Sequence, residues 1–395
     1  MTLDIKYAIL LGMKTYKYRI YPSKAQETLL NQQLEMCRLV YNRTLAIRKS
    51  AWEIEGKSVG MYDTFNLLPA WKKEEPKLKF VHSQVLQNVQ SRVELAYQAF
   101  FRRVKAGEDP GYPRFKGYGR YDSMCFPQYG NGATLDGNKL NLSKIGAIKV
   151  ELHRDLCGTP KTVCIRRNAA GKWFATISCE CEPIPLAKSE KIAGVDVGLA
   201  SFATLSNGEK IANPRFFRKE QDALAKAQRR MSKLEKGTPE RQKARKVVSR
   251  IHERITNKRT DFAHKQSRIL VNTYGLLVFE KLAVVDMMSN HTQVFGNKLN
   301  KSIADVAWNQ FAQFTAYKAE DAGRLFLQVD PRNTSKMCSR CSAIVPKDLG
   351  VRVHDCPHCG LSLDRDHNAA LNILALGLQR MGKQSLEAHP FQGWE

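Results

Sequence analysis

Three carboxylates lie far apart in this chain, each in a setting suited to catalysis. Asp196 closes an apolar run in Ile192-Ala-Gly-Val-Asp-Val-Gly198, and Glu280 closes a second in Leu276-Leu-Val-Phe-Glu280. Asp366 stands at the head of a helical pattern, Leu363-Asp-Arg-Asp-His-Asn-Ala-Ala-Leu-Asn-Ile373. Hydrolysis of a phosphodiester by two divalent cations, held about 3.5–4 Å apart, needs rigidly supported carboxylates that bridge the ions. Strand ends and the first turn of a helix are such supports. Gly194 and Gly198 are expected to leave room for metal and phosphate at the backbone. Asp364 competes with Asp366 for the third position. Taken singly, an acid after an apolar strand simply ends the strand; it is the combination that points to Mg2+-dependent chemistry.

Just before the third acid, Cys338-x-x-Cys341 is followed by fourteen residues and then Cys356-x-x-Cys359. Two such pairs present four thiolates tetrahedrally, the ligand set of one structural Zn2+ with no open coordination position. His354 and His358 lie inside the module but are superfluous as ligands. Lys336, Arg340, Lys347 and Arg352 surround the knuckles and are candidates for phosphate contact. Cys37, Cys125, Cys157, Cys164, Cys179 and Cys181 lack framework spacing and are expected to be reduced thiols in a cytosolic protein.

The 395 residues carry a formal charge of +25, from 63 Lys and Arg against 38 Asp and Glu. That excess favours a polyanionic partner, nucleic acid before membrane, because no stretch approaches the roughly eighteen apolar residues of a spanning helix. Between Arg215 and Arg268 stand eighteen Lys and Arg against six acids. Salt-bridged surface helices balance their signs better. Arg229, Arg230, Lys243, Arg245, Arg250 and Arg254 are therefore candidates for a wall that follows a phosphate backbone. Tyr112, Arg114, Phe115 and Lys116, in Gly111-Tyr-Pro-Arg-Phe-Lys116, combine base stacking with phosphate binding; a merely packed turn is the alternative.

The elements that must position these residues read as α+β in several domains. A strand over 16–21 ends at Pro22, and Ser23 caps a helix with Leu29, Leu30, Leu34, Cys37, Leu39, Val40 and Leu45 on its apolar side. A second helix runs from Ser83 to about Val104, with Lys- and Glu-rich shorter structure over 55–80. From about Ser123 to Glu182 short alternating runs predict a small antiparallel sheet or barrel, joined by the first strand. In Trp173–Cys181 the alternate residues Trp173, Ala175, Ile177, Cys179 and Cys181 share one face. Pro183 to Lys191 reads as a linker. Strands at 192–197, 200–205 and 209–212 predict a meander opening with Asp196. A helical region over 215–273 breaks near Gly237-Thr-Pro239, and the strand ending at Glu280 follows. A helix from about Ser302 to Ala322 is expected to start at the capping box Ser302-x-x-Asp305. A strand at Leu325–Val329, the cysteine module and a helix from Asp366 to about Leu378 complete the pattern. A meander, a strand ending in Glu and a late helix with Asp is a ribonuclease-H-like layout. The first twelve residues lack the basic start and cleavage site of a signal peptide, and Met13 is an alternative translation start.

Several of these motifs together resemble the TnpB family, the OrfB proteins of insertion sequences, related to compact type V CRISPR effectors. The resemblance runs from Met13 to about Leu378. It rests on Tyr18-Arg-Ile-Tyr-Pro22, Ala99-Phe-Phe-Arg102, Gly111–Lys116, Gly194-Val-Asp-Val-Gly198 and Phe279-Glu-Lys-Leu282. Thr334-Ser-Lys-Met-Cys-Ser-Arg-Cys341 and the Asp364–Ile373 stretch carry it furthest. It implies an RNA-guided DNA endonuclease: a guide RNA from the element's end pairs with double-stranded target DNA beside a short motif read by protein. The triad of a RuvC-like domain then maps onto Asp196, Glu280 and Asp366, with two Mg2+ ions, and one Zn2+ is held by the cysteines. The implied domains are a wedge β-barrel (1–22 and 109–187), a helical recognition lobe (23–108) and a RuvC-like domain (188–335 and 363–380). A zinc-ribbon, target-binding insertion (336–362) and a flexible tail (381–395) complete them. The setting is the prokaryotic cytoplasm, at the nucleoid when DNA is bound. One departure is Ser342, where glycine usually follows the second cysteine. A guided or unguided DNA-binding repressor that no longer cuts, and a structure-specific resolvase or transposase, are the competing functions.

Overall fold

A computed structural model describes residues 12–282, 305–348 and 350–387. The chain divides into two compact units that meet between Glu182 and Pro183.

In the first unit, β1 (Gly12–Tyr21) lies at the middle of a sheet. Four helices follow: α1 (Lys24–Glu55), α2 (Met61–Asn66), α3 (Leu68–Glu74) and, after a 3-10 turn at Pro76–Phe80, α4 (Ser83–Lys105). Ser23 caps α1 as expected, its side chain accepting from the Gln26 N–H while Gln26 answers to the Ser23 N–H. The buried stripe of α1 is Leu30, Leu34, Cys37, Val40, Tyr41 and Leu45. Leu29 and Leu39, expected on that face, are exposed because they fall off the 3.6-residue repeat.

Strands β2 (Ser123–Phe126), β3 (Ala133–Asp136), β4 (Lys139–Leu142), β5 (Gly146–Glu151), β6 (Thr159–Arg167) and β7 (Trp173–Cys181) complete an antiparallel sheet in the order β2-β6-β7-β1-β5-β4-β3. Its edge strands β2 and β3 are consecutive in the chain, so a short turn joins the edges and the sheet nearly closes. Trp173, Ala175, Ile177, Cys179 and Cys181 are buried on one face of β7, as their alternation predicts. The β2–β6 register sets Cys125 and Cys164, two of the cysteines without framework spacing, opposite each other, with Cα atoms 4.1 Å apart. The pairing comes from strand register, which spacing along the chain does not reveal.

The second unit opens with β8 (Ile192–Val197), β9 (Ser201–Leu205) and β10 (Lys210–Ala212). The basic region forms two helices, α5 (Phe216–Ser232) and α6 (Pro239–Thr273), packed through Leu224, Val248, Ile251 and Ile255. Then come β11 (Leu276–Glu280), α7 (Trp308–Asp321) and β12 (Leu325–Val329). The small strands β13 (Val353–Asp355) and β14 (Ser362–Asp364) precede α8 (Arg365–Glu387). The five-stranded sheet runs β10-β9-β8-β11-β12, with β8, β11 and β12 parallel and the meander antiparallel.

Three expectations change here. Helix α7 starts at Trp308, because Ala307 takes a left-handed conformation (φ 55°) that no α-helix continues through. Asp305 therefore caps no α7 N-terminus; it accepts from the Phe217 N–H at 3.1 Å and pairs with Arg259 at 2.6 Å. Ser302 lies outside the described residues. Helix α8 continues to Glu387, beyond Arg380 where the sequence pattern was expected to give way to a tail. The segment Pro183–Lys191, read as a linker, is tied to the second unit. The Leu186 N–H donates to Ala322 O at 3.0 Å, and the Ser189 hydroxyl donates to Thr273 O at 2.9 Å.

Candidate active site and metal centre

Alternation along the parallel strands decides where the acids point. Ala193 and Val195 of β8, and Leu277 and Phe279 of β11, pack with residues of α6 and α7 such as Leu270, Val271 and Phe311. Leu276 and Val278 face the other way and pack with Ile373 and Leu374 of α8. Asp196 and Glu280 share the parity of that second set, so both acids stand on the α8 side. Val278 is registered with Gly194 and Phe279 with Val195, which sets Glu280 beside Asp196. The Val197 N–H donates to Glu280 Oε1 at 3.2 Å and fixes that carboxylate across the strand boundary.

Helix α8 delivers the third acid. A Cβ on Gly194 would run into Ala370 O and come within 2.8 Å of Leu374 N, and one on Gly377 would run into the Val278 side chain. These glycines let the helix lie directly on the sheet. Gly194 thus makes room for α8, not for metal or phosphate as its sequence setting suggested. Asp366 is four residues before Ala370, about 6 Å along the helix, and Asp196 is two residues beyond Gly194. The stripe that seats the helix therefore carries Asp366 over the end of β8. Replacing Gly194 with valine is expected to displace α8 and lower stability by about 2–4 kcal/mol, readable as an early thermal transition.

The three acids interact. Burial, and then the charges of Glu280 and Asp366, drive the Asp196 carboxyl well above its ordinary range. Burial also pushes Glu280 up to about 7, with Asp366 adding to it and the Val197 N–H opposing. Mutual repulsion in a partly desolvated pocket is the condition a bound cation relieves. Asp364, the competitor, has its oxygens engaged: it accepts from the Asp366 and His367 N–H groups at 3.1 Å each and from Lys210 Nζ at 2.7 Å. Burial works against its ionised form, but these donors hold its pKa below the usual value. It caps α8.

The four cysteines converge. Their sulfurs all lie within 4.8 Å of one another, Cys338 to Cys359 and Cys341 to Cys356 at 3.6 Å. Tetrahedral zinc with bonds near 2.3 Å separates its sulfurs by about 3.8 Å, so the thiols fit that ion. Although burial opposes it, the backbone N–H groups of Cys341 and Arg340 hold the Cys338 thiol below its ordinary range. His358 is exposed. His354 is fully buried and its Nδ1 meets Lys347 Nζ, so Lys347 braces the module's interior and is not available to phosphate. Lys336, Arg340 and Arg352 remain exposed.

Two residues with no assigned role in the sequence reading join module to helix. Asn368 is fully buried; its amide donates to Met337 O at 2.7 Å while its carbonyl accepts from the Ser339 N–H at 2.9 Å. Asn372, one turn later, donates to Thr334 O and Met337 O at 2.8 and 2.7 Å. The signal was present as asparagines four apart on the apolar side of a helix.

The first knuckle also explains the Ser342 departure. Ser342 adopts a left-handed conformation with φ 62°, as Gly360 does at 69° in the second knuckle, and each N–H closes a turn on the leading cysteine's carbonyl at 2.9 Å. Serine pays a conformational cost there that glycine does not. Ser342→Gly is expected to raise stability by about 0.5–1 kcal/mol, seen as slower metal release to a chelator, with the ligands unchanged.

The candidate nucleic-acid residues fall into two groups, one in each unit. In the second, Arg229, Arg230, Lys243, Arg245, Arg250 and Arg254 are all exposed on α5 and α6, with Arg254 paired to Glu220 at 3.2 Å. In the first, Gly111–Lys116 is docked on helices: Asn42 bonds both backbone groups of Lys116, at 2.8 and 2.9 Å, and Tyr112 meets Tyr97 at 2.8 Å through their hydroxyls. Tyr112 and Phe115 nevertheless keep about half their surface open (42% and 53%) and Arg114 lies between them. Packed turn and stacking surface are both present.

Comparison with known proteins places the chain. A family profile of the OrfB proteins of IS605-type elements, described as "Probable transposase", matches residues 176–291. A second, "Cas12f1-like, TNB domain", matches 308–373. A third, a "Helix-turn-helix domain" of the same OrfB group, matches 13–57, which here is a strand followed by one long helix. The chain is 36% identical over 373 residues to a Streptomyces pristinaespiralis protein named "Putative RNA-guided DNA endonuclease", covering 92% of this chain and 89% of that one. It is 31% identical to "Putative RNA-guided DNA endonuclease InsQ" of Escherichia coli, covering 92% of each. The fold resembles the protein in "Cryo-EM structure of the Cas12f1-sgRNA-target DNA complex", with TM-score 0.58, 14% identity, and coverage of 92% and 98% of the two chains. With relatives this close along nearly its whole length, the chain belongs to the TnpB family, the OrfB proteins of insertion sequences.

Proposed function

We propose that this chain is an RNA-guided DNA endonuclease of a transposable element, which hydrolyses phosphodiesters at Asp196, Glu280 and Asp366. The observation that carries this is the convergence of three carboxylates on one side of a mixed sheet, in a chain whose relatives are named RNA-guided DNA endonucleases. In this reading residues 188–335 and 363–380 make a RuvC-like domain, and 336–362 is a zinc-ribbon insertion that binds target nucleic acid. Residues 1–22 with 109–187 form the wedge and 23–108 the recognition lobe. The protein works in the prokaryotic cytoplasm, at the nucleoid.

Two Mg2+ ions, when bound, supply the activated water and the charge that stabilises the leaving oxygen. The chain supplies their holders. Asp196, Glu280, pinned by the Val197 N–H, and Asp366, on its capped helix, would hold the ions. Cys338, Cys341, Cys356 and Cys359 hold Zn2+, which secures the Thr334–Ser339 backbone that Asn368 and Asn372 grip. Beyond the short flanking motif that the protein reads, sequence is left to base pairing, so the heteroduplex needs only charge and shape complementarity from the protein.

The test is expression with the flanking element sequence, recovery of co-purifying RNA, and challenge with a guide-matched plasmid target beside randomised flanks in Mg2+. A discrete RNA and cutting beside one short motif, lost in Asp366→Ala, is expected. Bound RNA without cutting contradicts the nuclease and favours a guided repressor. Cutting without RNA, directed by junctions or ends, favours a resolvase.

A further inference from the structure

At the carboxyl end of β8, where the acids lie, the second unit has an open cleft of about 470 Å3. Three cations line it, Lys210, Arg215 and Lys219, with no acid, and its other walls are small or neutral residues such as Ala200, Ser201 and Ala212. Among the described residues no carboxylate pairs with Arg215 or Lys219, and both are exposed. Lys210 reaches the other way, to Asp364 at the start of α8.

The cleft is built. Arg215 holds a left-handed backbone (φ 47°, ψ 51°), unusual for any residue with a Cβ. Asn213 braces it by accepting from the Arg215 N–H at 3.1 Å while donating to Leu199 O at 2.9 Å, on the loop that follows Asp196. The N–H of Phe217 is already taken by Asp305, so the site depends on side-chain cations and not on the free end of α5. Asp196 is registered with Thr204, and Ser201 lies three residues further along β9, about 10 Å away.

We propose that this cleft seats a backbone phosphate of the DNA strand being cut, a nucleotide or more to one side of the scissile bond. The inference rests on the nuclease reading above. A phosphate held this near the acids belongs to the polymer they cleave. Small walls admit a sugar–phosphate chain closely, and among the described residues no aromatic side chain lines the cleft to stack a base, so the seat favours backbone over bases. Arg215 and Lys219 are positioning residues: they hold the strand in line with the carboxylates without touching the reacting phosphate.

The test uses the RNA-loaded protein and target duplexes opened by a mismatch bubble, each with one uncharged methylphosphonate at a successive position around the cut. In the wild type, one flanking position should slow cutting about tenfold, the scale of one lost phosphate contact. The double variant Arg215→Gln with Lys219→Gln should cut the unmodified target more slowly by a similar factor and be indifferent at that position. Arg215→Lys with Lys219→Arg should restore both rate and sensitivity. RNA content must stay at the wild-type level throughout. A Gln variant that cuts at the wild-type rate, keeps the methylphosphonate sensitivity, or loses its RNA overturns the seat. A wild-type complex that never cuts refutes the nuclease reading instead. The salt dependence of single-strand binding then judges the seat alone: its slope should fall by about 0.7 per cation removed, and an unchanged slope overturns it.

Discussion

Asp196→Asn is expected to abolish cutting and yet make the metal-free protein more stable at pH 8. Losing a carboxylate that would hold the catalytic cations forfeits several kcal/mol of transition-state stabilisation, so the rate should fall at least about a thousandfold. The stability gain follows from the same geometry. Asp196 and Glu280 are held above their ordinary pKa values, chiefly by burial and then by each other or Asp366, with Glu280 at about 7. A carboxyl raised on folding keeps a proton that the unfolded chain has released. The folded state of the metal-free protein is therefore favoured below the ordinary carboxylate pKa and loses that advantage as pH climbs through about 7.

At pH 8 the unfolded chain has released these protons while burial and crowding resist ionisation in the folded chain, a penalty of about 1–3 kcal/mol that the amide does not carry. For a unit of this size the variant should melt about 3–8 °C higher in chelator at pH 8, with the difference vanishing only below the ordinary carboxylate range, about pH 4. Adding Mg2+ should raise the melting temperature of the wild type at pH 8 and leave the variant unmoved. Guide RNA and target binding should be unchanged, because the acids contribute no attraction to phosphate. A variant that loses RNA, or melts lower at pH 8, would contradict this assignment.

Removal of zinc is the second large effect. Cys356→Ser, or a strong chelator, is expected to cost at least about a hundredfold in cutting although no carboxylate is touched. The link is physical: Asn368 and Asn372, on the helix that carries Asp366, have their hydrogen-bond partners in the backbone of the first knuckle. Structural zinc supplies much of a small module's folding free energy, about 10–16 kcal/mol in isolated fingers. Without it the knuckle no longer presents Thr334 O, Met337 O and the Ser339 N–H, and two buried amides are left unsatisfied. A displacement of about 1 Å at Asp366 suffices for the rate loss. Metal content measured with the rate should show one zinc per chain in the wild type. Full cutting by a zinc-free protein would sink the coupling of module to site.

What was legible in the sequence was whatever depends on local periodicity. The strands ending at Val197 and Glu280, the break at Pro239, the Ser23 cap and the paired cysteines all follow from spacing and side-chain type. The meander before a parallel pair was also readable, because turn residues and apolar runs alternate there. What escaped were relations between distant segments. Gly194 resembled a residue that clears space for a ligand, and only the position of α8 shows that it clears space for a helix. Asp305 had the spacing of a capping box, but the left-handed Ala307 separates it from α7 and hands it to Arg259. The Cys125–Cys164 pair depends on the register of two strands 39 residues apart. The sequence ranks Asp366 ahead of its competitor Asp364 without a reason in contacts; the structure adds that Asp364 commits its oxygens to the helix start and Lys210.

The measurement that most directly tests guided DNA cleavage is a guide exchange. The RNA-loaded protein is prepared with its natural guide segment and with that segment replaced by an unrelated sequence, everything else identical. Each is given a plasmid carrying both matching targets beside the same flanking motif, in Mg2+. Cutting should move with the guide, at the target each RNA matches and nowhere else, and Glu280→Gln should erase it for both. Cutting that stays at one site whichever guide is loaded, or that proceeds after the RNA is removed, would contradict RNA-guided cleavage.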